Sequence, residues 1–178
     1  MALCAALLAA CAVVSPPQSG QGVPAFEIAG RIAVRYQDRG FSSALRWKQA
    51  AGSDEIWLTA PLGQTIAYLQ ADANGATLTG ADQRQYRAGS IENLTRSALG
   101  WRFPVAGMRY WVLGRPADGM ALAAEERDGA ERIVRFKQDD WQVGFSYLDA
   151  AMVPSRLEIT GSDAQIRFVI DARTAAQP

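Results

Sequence analysis

Hydrophobic and polar residues alternate along most of this chain. From Phe26 to Tyr36 the apolar set Phe26, Ile28, Gly30, Ile32, Val34 and Tyr36 takes every second position, and Glu27, Arg31 and Arg35 fall between. A period of two marks a β-strand buried on one face. Gln37-Asp38-Arg39-Gly40 has turn chemistry, and Phe41, Ser43, Leu45 and Trp47 then resume the alternation, which predicts a hairpin. Glu55–Ala60 and Gln64–Ala71 predict a second pair. Asp72-Ala73-Asn74-Gly75 is another turn, followed by short strands at Ala76–Thr79 and Arg84–Ala88.

The period then changes. Ile91, Leu94, Thr95, Ala98 and Leu99 follow helical spacing, with Ser90 placed to cap the start, Glu92 in the first turn and Gly100 just past the end. A second helix is predicted over Val105–Leu113, with Pro104 in its first turn, Gly114 beyond its end and Pro116 blocking continuation. Strands resume at Met120–Glu126, Glu131–Lys137, Trp141–Tyr147, Arg156–Thr160 and Gln165–Asp171. The pattern therefore predicts a mainly β fold of about eleven antiparallel strands with helices inserted midway. So wide a sheet must curl, because a flat one leaves edges and an apolar face in water. The expectation is a strongly curved, incomplete barrel, with helices over its concave side or in its mouth.

Composition narrows the function. The chain has 178 residues, 49% of them apolar, with 18 basic and 18 acidic side chains. That balance removes the electrostatic reason to bind nucleic acid. Histidine is absent, which excludes Ser-His-Asp and Cys-His nucleophile systems and most zinc sites. Neither a metal nor a cofactor is expected. The densest carboxylates, Glu125-Glu126 and Asp139-Asp140, read as solvated charges beside turns, since neighbouring strand residues face opposite ways.

The N-terminus carries the most specific signal. Residues 1–10 are a short apolar run, and Leu8-Ala9-Ala10-Cys11 is the processing pattern of a bacterial lipoprotein signal. On this reading residues 1–10 are removed and Cys11 becomes the acylated first residue. Residues 11–24, rich in Pro, Ser, Gln and Gly, form a flexible tether, and residues 25–178 form one domain. Elsewhere, Pro61-Leu62-Gly63 sets an apolar residue in a loop where polar ones are usual. Pro61 restricts the backbone and Gly63 permits a reversal, so Leu62 is a candidate for outward display.

Taken in order, these motifs resemble the LolB family, outer-membrane receptors of the bacterial lipoprotein-localisation pathway. The resemblance runs from about Phe26 to Asp171. It rests on the signal at Cys11, Gly30-Arg31-Ile32-Ala33-Val34, Leu45-Arg46-Trp47 with Gln49, and Leu58 with Pro61-Leu62-Gly63-Gln64-Thr65. It continues through Leu99-Gly100-Trp101, Pro104, Tyr110-Trp111-Val112-Leu113-Gly114, Pro116, Trp141-Gln142-Val143, Tyr147, Pro154 and Leu157. It departs at Ala172, near which the family often carries a tryptophan.

The resemblance implies a half-barrel with an apolar cavity and a monomeric, non-enzymatic protein lipid-anchored on the periplasmic face of the outer membrane. It implies acceptance of acylated lipoproteins from a LolA-like periplasmic carrier and their delivery to outer-membrane lipids. In the family the leucine of the protruding loop, here Leu62, serves insertion. Ala12, which is not aspartate, is consistent with export to the outer membrane. The expected acyl-chain lining is Ile32, Val34, Leu45, Trp47, Leu58, Leu69, Leu94, Met108, Trp111 and Val112. Two other readings stand beside this one: a structural or assembly lipoprotein with a filled core, and a hydrolase built on the carboxylate pairs.

Overall fold

The computed structural model describes residues 23–175 except residue 51. The leader, Cys11 and most of the expected tether lie outside the described residues.

Eleven strands form one antiparallel sheet. The first half comprises β1 (Phe26–Tyr36), β2 (Arg39–Ala50), β3 (Ser53–Thr59), β4 (Thr65–Asp72), β5 (Gly75–Gly80) and β6 (Gln85–Ala88). Helices α1 (Ile91–Leu99) and α2 (Val105–Trp111) follow. The second half comprises β7 (Leu122–Arg127), β8 (Ile133–Gln138), β9 (Trp141–Ser146), β10 (Arg156–Thr160) and β11 (Ala164–Ala175). The sheet order is β6-β5-β4-β3-β2-β1-β11-β10-β9-β8-β7, so each half is a meander and the first and last strands join them. Edges β6 and β7 do not pair, which leaves the barrel incomplete.

The sheet must be curled. Six steps separate β3 from β8, about 29 Å across a flat sheet at ~4.8 Å per strand. Yet α2, seven residues long and ~10 Å from end to end, touches both: Arg109 reaches Asp54 on β3, and Trp111 reaches Gln138 on β8. Only a concave sheet brings both strands within reach of one short helix.

Register follows the alternation. In β1, Phe26, Ile28, Ile32 and Val34 are buried, and Gly30 shares their face. The register shifts between Ala29 and Gly30 against β11. A Cβ on Gly30 would lie 2.0 Å from the Val169 carbonyl oxygen, so the bulge requires glycine. Helix α1 is capped as expected: the Ser90 hydroxyl accepts from the Asn93 N–H, and Gly100 closes the far end at φ 86°.

Boundaries differ from the sequence expectation in several places. Helix α2 stops at Trp111 and not Leu113, because the Leu113 and Gly114 amides bond back to Tyr110 and Trp111 and tighten the last turn. Pro104 stands at the N-cap outside the helical turn, at φ −81° and ψ 59°. Strand β11 continues to Ala175, since β1 pairs with it from Phe26 onward.

Candidate functional site

Between the first half of the sheet and α1 lies a hollow of about 200 Å³ whose wall presents only apolar atoms. Strands β1 to β5 supply Ile32, Phe41, Leu45, Ile56, Leu58, Ala67, Leu69 and Leu78. Thr95, Leu99, Trp101 and Phe103 close it from the helical side. The Thr95 hydroxyl does not break the apolar character. It donates to the Glu92 carbonyl at 3.3 Å and accepts from the Phe103 amide at 2.9 Å, so its polar atom is satisfied within the helix connection. Trp101 and Phe103 meet edge to face at 5.9 Å.

Of the ten residues expected to line a cavity, Ile32, Leu45, Leu58 and Leu69 stand in this wall. Val34, Trp47, Leu94, Met108, Trp111 and Val112 do not. These six are buried, though Val34 borders a polar depression and Trp111 a small cleft of about 80 Å³ beside α2. Trp47 and Trp111 are held by polar anchors beneath α2. The Trp47 indole donates to Asp54 at 2.9 Å and the Trp111 indole to Gln138 at 2.8 Å. Asp54, only 1% exposed, also accepts from Arg109 Nε at 2.9 Å and from its Nη2. The Gln138 amide further accepts from the Ala117 N–H and donates to the Ala117 carbonyl. This half of the interior is pinned by polar contacts, while the apolar hollow lies under α1.

Sequence reasoning passed over Phe41, Ile56, Ala67, Leu78, Leu99, Trp101 and Phe103 as lining. Phe41 and Leu99 lay on the apolar stripes already recognised, so a signal existed for them. Nothing local marks Ala67 as wall, because its role comes from the strands around it.

Two residues of the wall, Phe41 and Leu99, reach the surface. Connections β1–β2, β3–β4 and β5–β6 share one end of the antiparallel sheet. In the β3–β4 turn the Ala60 amide donates to the Gln64 carbonyl and the Gly63 amide to the Ala60 carbonyl, both at 2.8 Å. Gly63 adopts φ 82°, a left-handed geometry that favours glycine. Pro61 and Gly63 are exposed beside Leu62. Leu62 itself is 89% exposed, far more than the other large apolar side chains in the described residues. The turn bonds to itself, so its leucine is displayed by the backbone.

Two wider depressions, of about 440 and 460 Å³, have largely polar walls with charged residues such as Glu55 and Arg87 or Arg35, Glu158 and Arg167. They do not suit apolar chains. The carboxylates considered for hydrolysis are dispersed on the surface: Glu125 pairs with Arg127 at 2.6 Å and Glu126 with Arg135 at 3.5 Å. Among the described residues no helix is long and apolar enough to cross a membrane, and no cluster of three or more metal-ligating side chains occurs.

Comparison with known proteins agrees with this architecture. The family model "Outer membrane lipoprotein LolB" matches residues 24–172. The outer-membrane lipoprotein LolB of Nitrosomonas europaea is 37% identical over 151 residues, covering 82% of this chain and 71% of its own. That of Thiobacillus denitrificans is 35% identical, covering 95% and 92%, and that of Cupriavidus necator is 37% identical, covering 94% and 91%. A crystallised outer-membrane lipoprotein-sorting domain from Vibrio parahaemolyticus shares the fold at a TM-score of 0.50, with 10% identity and 86% of each chain covered. The chain belongs to the LolB family of outer-membrane lipoproteins.

Proposed function

We propose that this protein is a lipoprotein receptor, anchored to the outer membrane through Cys11, that takes acylated lipoproteins from a soluble periplasmic carrier and inserts them into the membrane. It works by binding and not by catalysis. The observation that carries this reading is a wholly apolar hollow in a molecule that also displays Leu62 on a self-bonded turn.

The energetics suit the task. At ~0.8 kcal/mol per buried methylene, acyl chains left in water cost tens of kcal/mol. A receptor must offer apolar surface free of hydrogen-bonding demands. A hollow of about 200 Å³ holds roughly 13–20 groups of water size at ~10–15 Å³ each, fewer than the carbon groups of the three chains on an acylated cysteine. Loading therefore widens it, and the compliant side is α1. That helix packs on β5 and edge strand β6, while α2 is fixed by Asp54 and Gln138. Release follows affinity, from carrier to receptor to bilayer. Leu62 enters the headgroup boundary, where its ~1.5–3 kcal/mol of burial orients the mouth without anchoring the protein. Pro61 and Gly63 hold the loop in shape.

A transfer assay tests the proposal. Carrier loaded with a labelled lipoprotein is mixed with this protein, then with liposomes. The label is expected to leave the carrier for this protein and then for the membrane. Label that stays on the carrier overturns the reading and favours an assembly lipoprotein.

A further inference from the structure

A second apolar tip stands at the opposite end of the molecule from Leu62. The connection between β9 and β10 lies at the end where β1 begins and β11 finishes. It exposes Leu148 by 67%, Met152 by 65% and Val153 as well. These side chains are held outward. Arg132 donates to the carbonyls of Asp149 at 2.7 Å and Ala151 at 3.1 Å, pairs with Asp128 and stacks on Tyr147. Pro154 is buried and its carbonyl accepts from Arg173. A loop braced on both sides cannot fold its apolar residues back into the core.

The surface is a narrow tip, not a groove. Its three side chains offer a few hundred Å² at most, below the ~600 Å² that each partner gives to a small stable protein interface. The chain outside the described residues indicates what covers it. Val23 packs against the core at this same end, and the twelve residue steps back to Cys11 span at most ~43 Å fully drawn out. The end of β3 lies level with Arg31 of β1, eight residues from Val23, so with Leu62 on the bilayer the linker must run up to ~26 Å back along the body at ~3.3 Å per residue. More than half of its reach is then taken up along the body. With the Leu148–Val153 tip on the bilayer, it is slack.

We infer that this tip is a second bilayer-contacting surface, which seats the protein on its own membrane between deliveries, with Leu62 pointing away. The inference rests on the reading of Cys11 as the lipid anchor. The partner is a phospholipid surface, and the protein alternates between two ends-down orientations.

Met152 is a native probe. The acylated protein is bound to vesicles of phosphatidylethanolamine and phosphatidylglycerol, floated, and exposed to dilute hydrogen peroxide. Sulfoxide at Met152 is read by peptide mass spectrometry against the half-buried Met120. A tip seated four-fifths of the time is oxidised roughly fivefold more slowly than a free one. The expected result is that protection, lost in the Leu148→Ser, Val153→Ser variant and kept in Leu62→Glu. Equal Met152 oxidation in parent and tip variant overturns the proposal, as does protection that appears only when a second protein is added. Protein that does not float with the vesicles refutes the anchor at Cys11, and the proposal with it. Protein that floats with Met152 unprotected refutes the tip alone.

Discussion

At the scale of single residues, function and stability separate cleanly. Leu62 contacts little of its own protein, so Leu62→Glu is expected to leave thermal unfolding within ~0.5 kcal/mol of the parent. Cargo uptake should persist while transfer to liposomes is lost, and normal delivery by this variant would remove the role of Leu62. Asp54 is the opposite case. It is buried and receives both the Trp47 indole and the Arg109 guanidinium. Asp54→Ala strands both donors and should cost about 3–5 kcal/mol in urea unfolding. Tyr68 gives a pH signature on the convex face, where it stacks on Trp57 at 5.1 Å. Burial, and secondarily its bond to Glu55, raises its phenol from 10.0 to about 12. The unfolded phenol ionises first, so the unfolded state gains as pH climbs. Stability from this group should therefore fall between pH 10 and about 12, and Tyr68→Phe should remove that part of the slope in denaturation at stepped pH.

At the scale of elements, the sequence was most legible where one period persisted. Strands β1 and β10 and helix α1 match their patterns residue for residue, because alternation, an N-cap serine and a C-terminal glycine are local signals. Legibility failed where tertiary contacts decide. No local signal told that Trp47 and Trp111 are held by polar anchors while Leu45 and Leu58 face the apolar hollow. That division depends on α2 being tied to Asp54 and Gln138, partners distant in sequence. Gly30 shows the same limit. Its place on the apolar face was plain, but the approach of the Val169 carbonyl was not. Gly30→Ala forces the bulge between β1 and β11 to shift and should cost about 1–3 kcal/mol, readable as a lowered melting temperature with unchanged far-ultraviolet circular dichroism.

At the scale of the whole molecule, polar anchors lie under α2 and the apolar hollow under α1. An environment-sensitive apolar dye should bind one site with enhanced emission. Ala67→Phe, which fills the wall of the hollow, should weaken that binding by ~10-fold while leaving the folded spectrum intact. Unchanged dye affinity would place the binding elsewhere. The join between β1 and β11 has a consequence for the life of the chain. β1 is the first strand synthesised and β11 the last, yet they are neighbours over their whole lengths. Until Ala164–Ala175 emerge, one long rim of β1 has only solvent or a chaperone for company. A ribosome that stalls short of Ala164 therefore leaves two unjoined meanders with sticky borders, a product fit for degradation and not for a partial job.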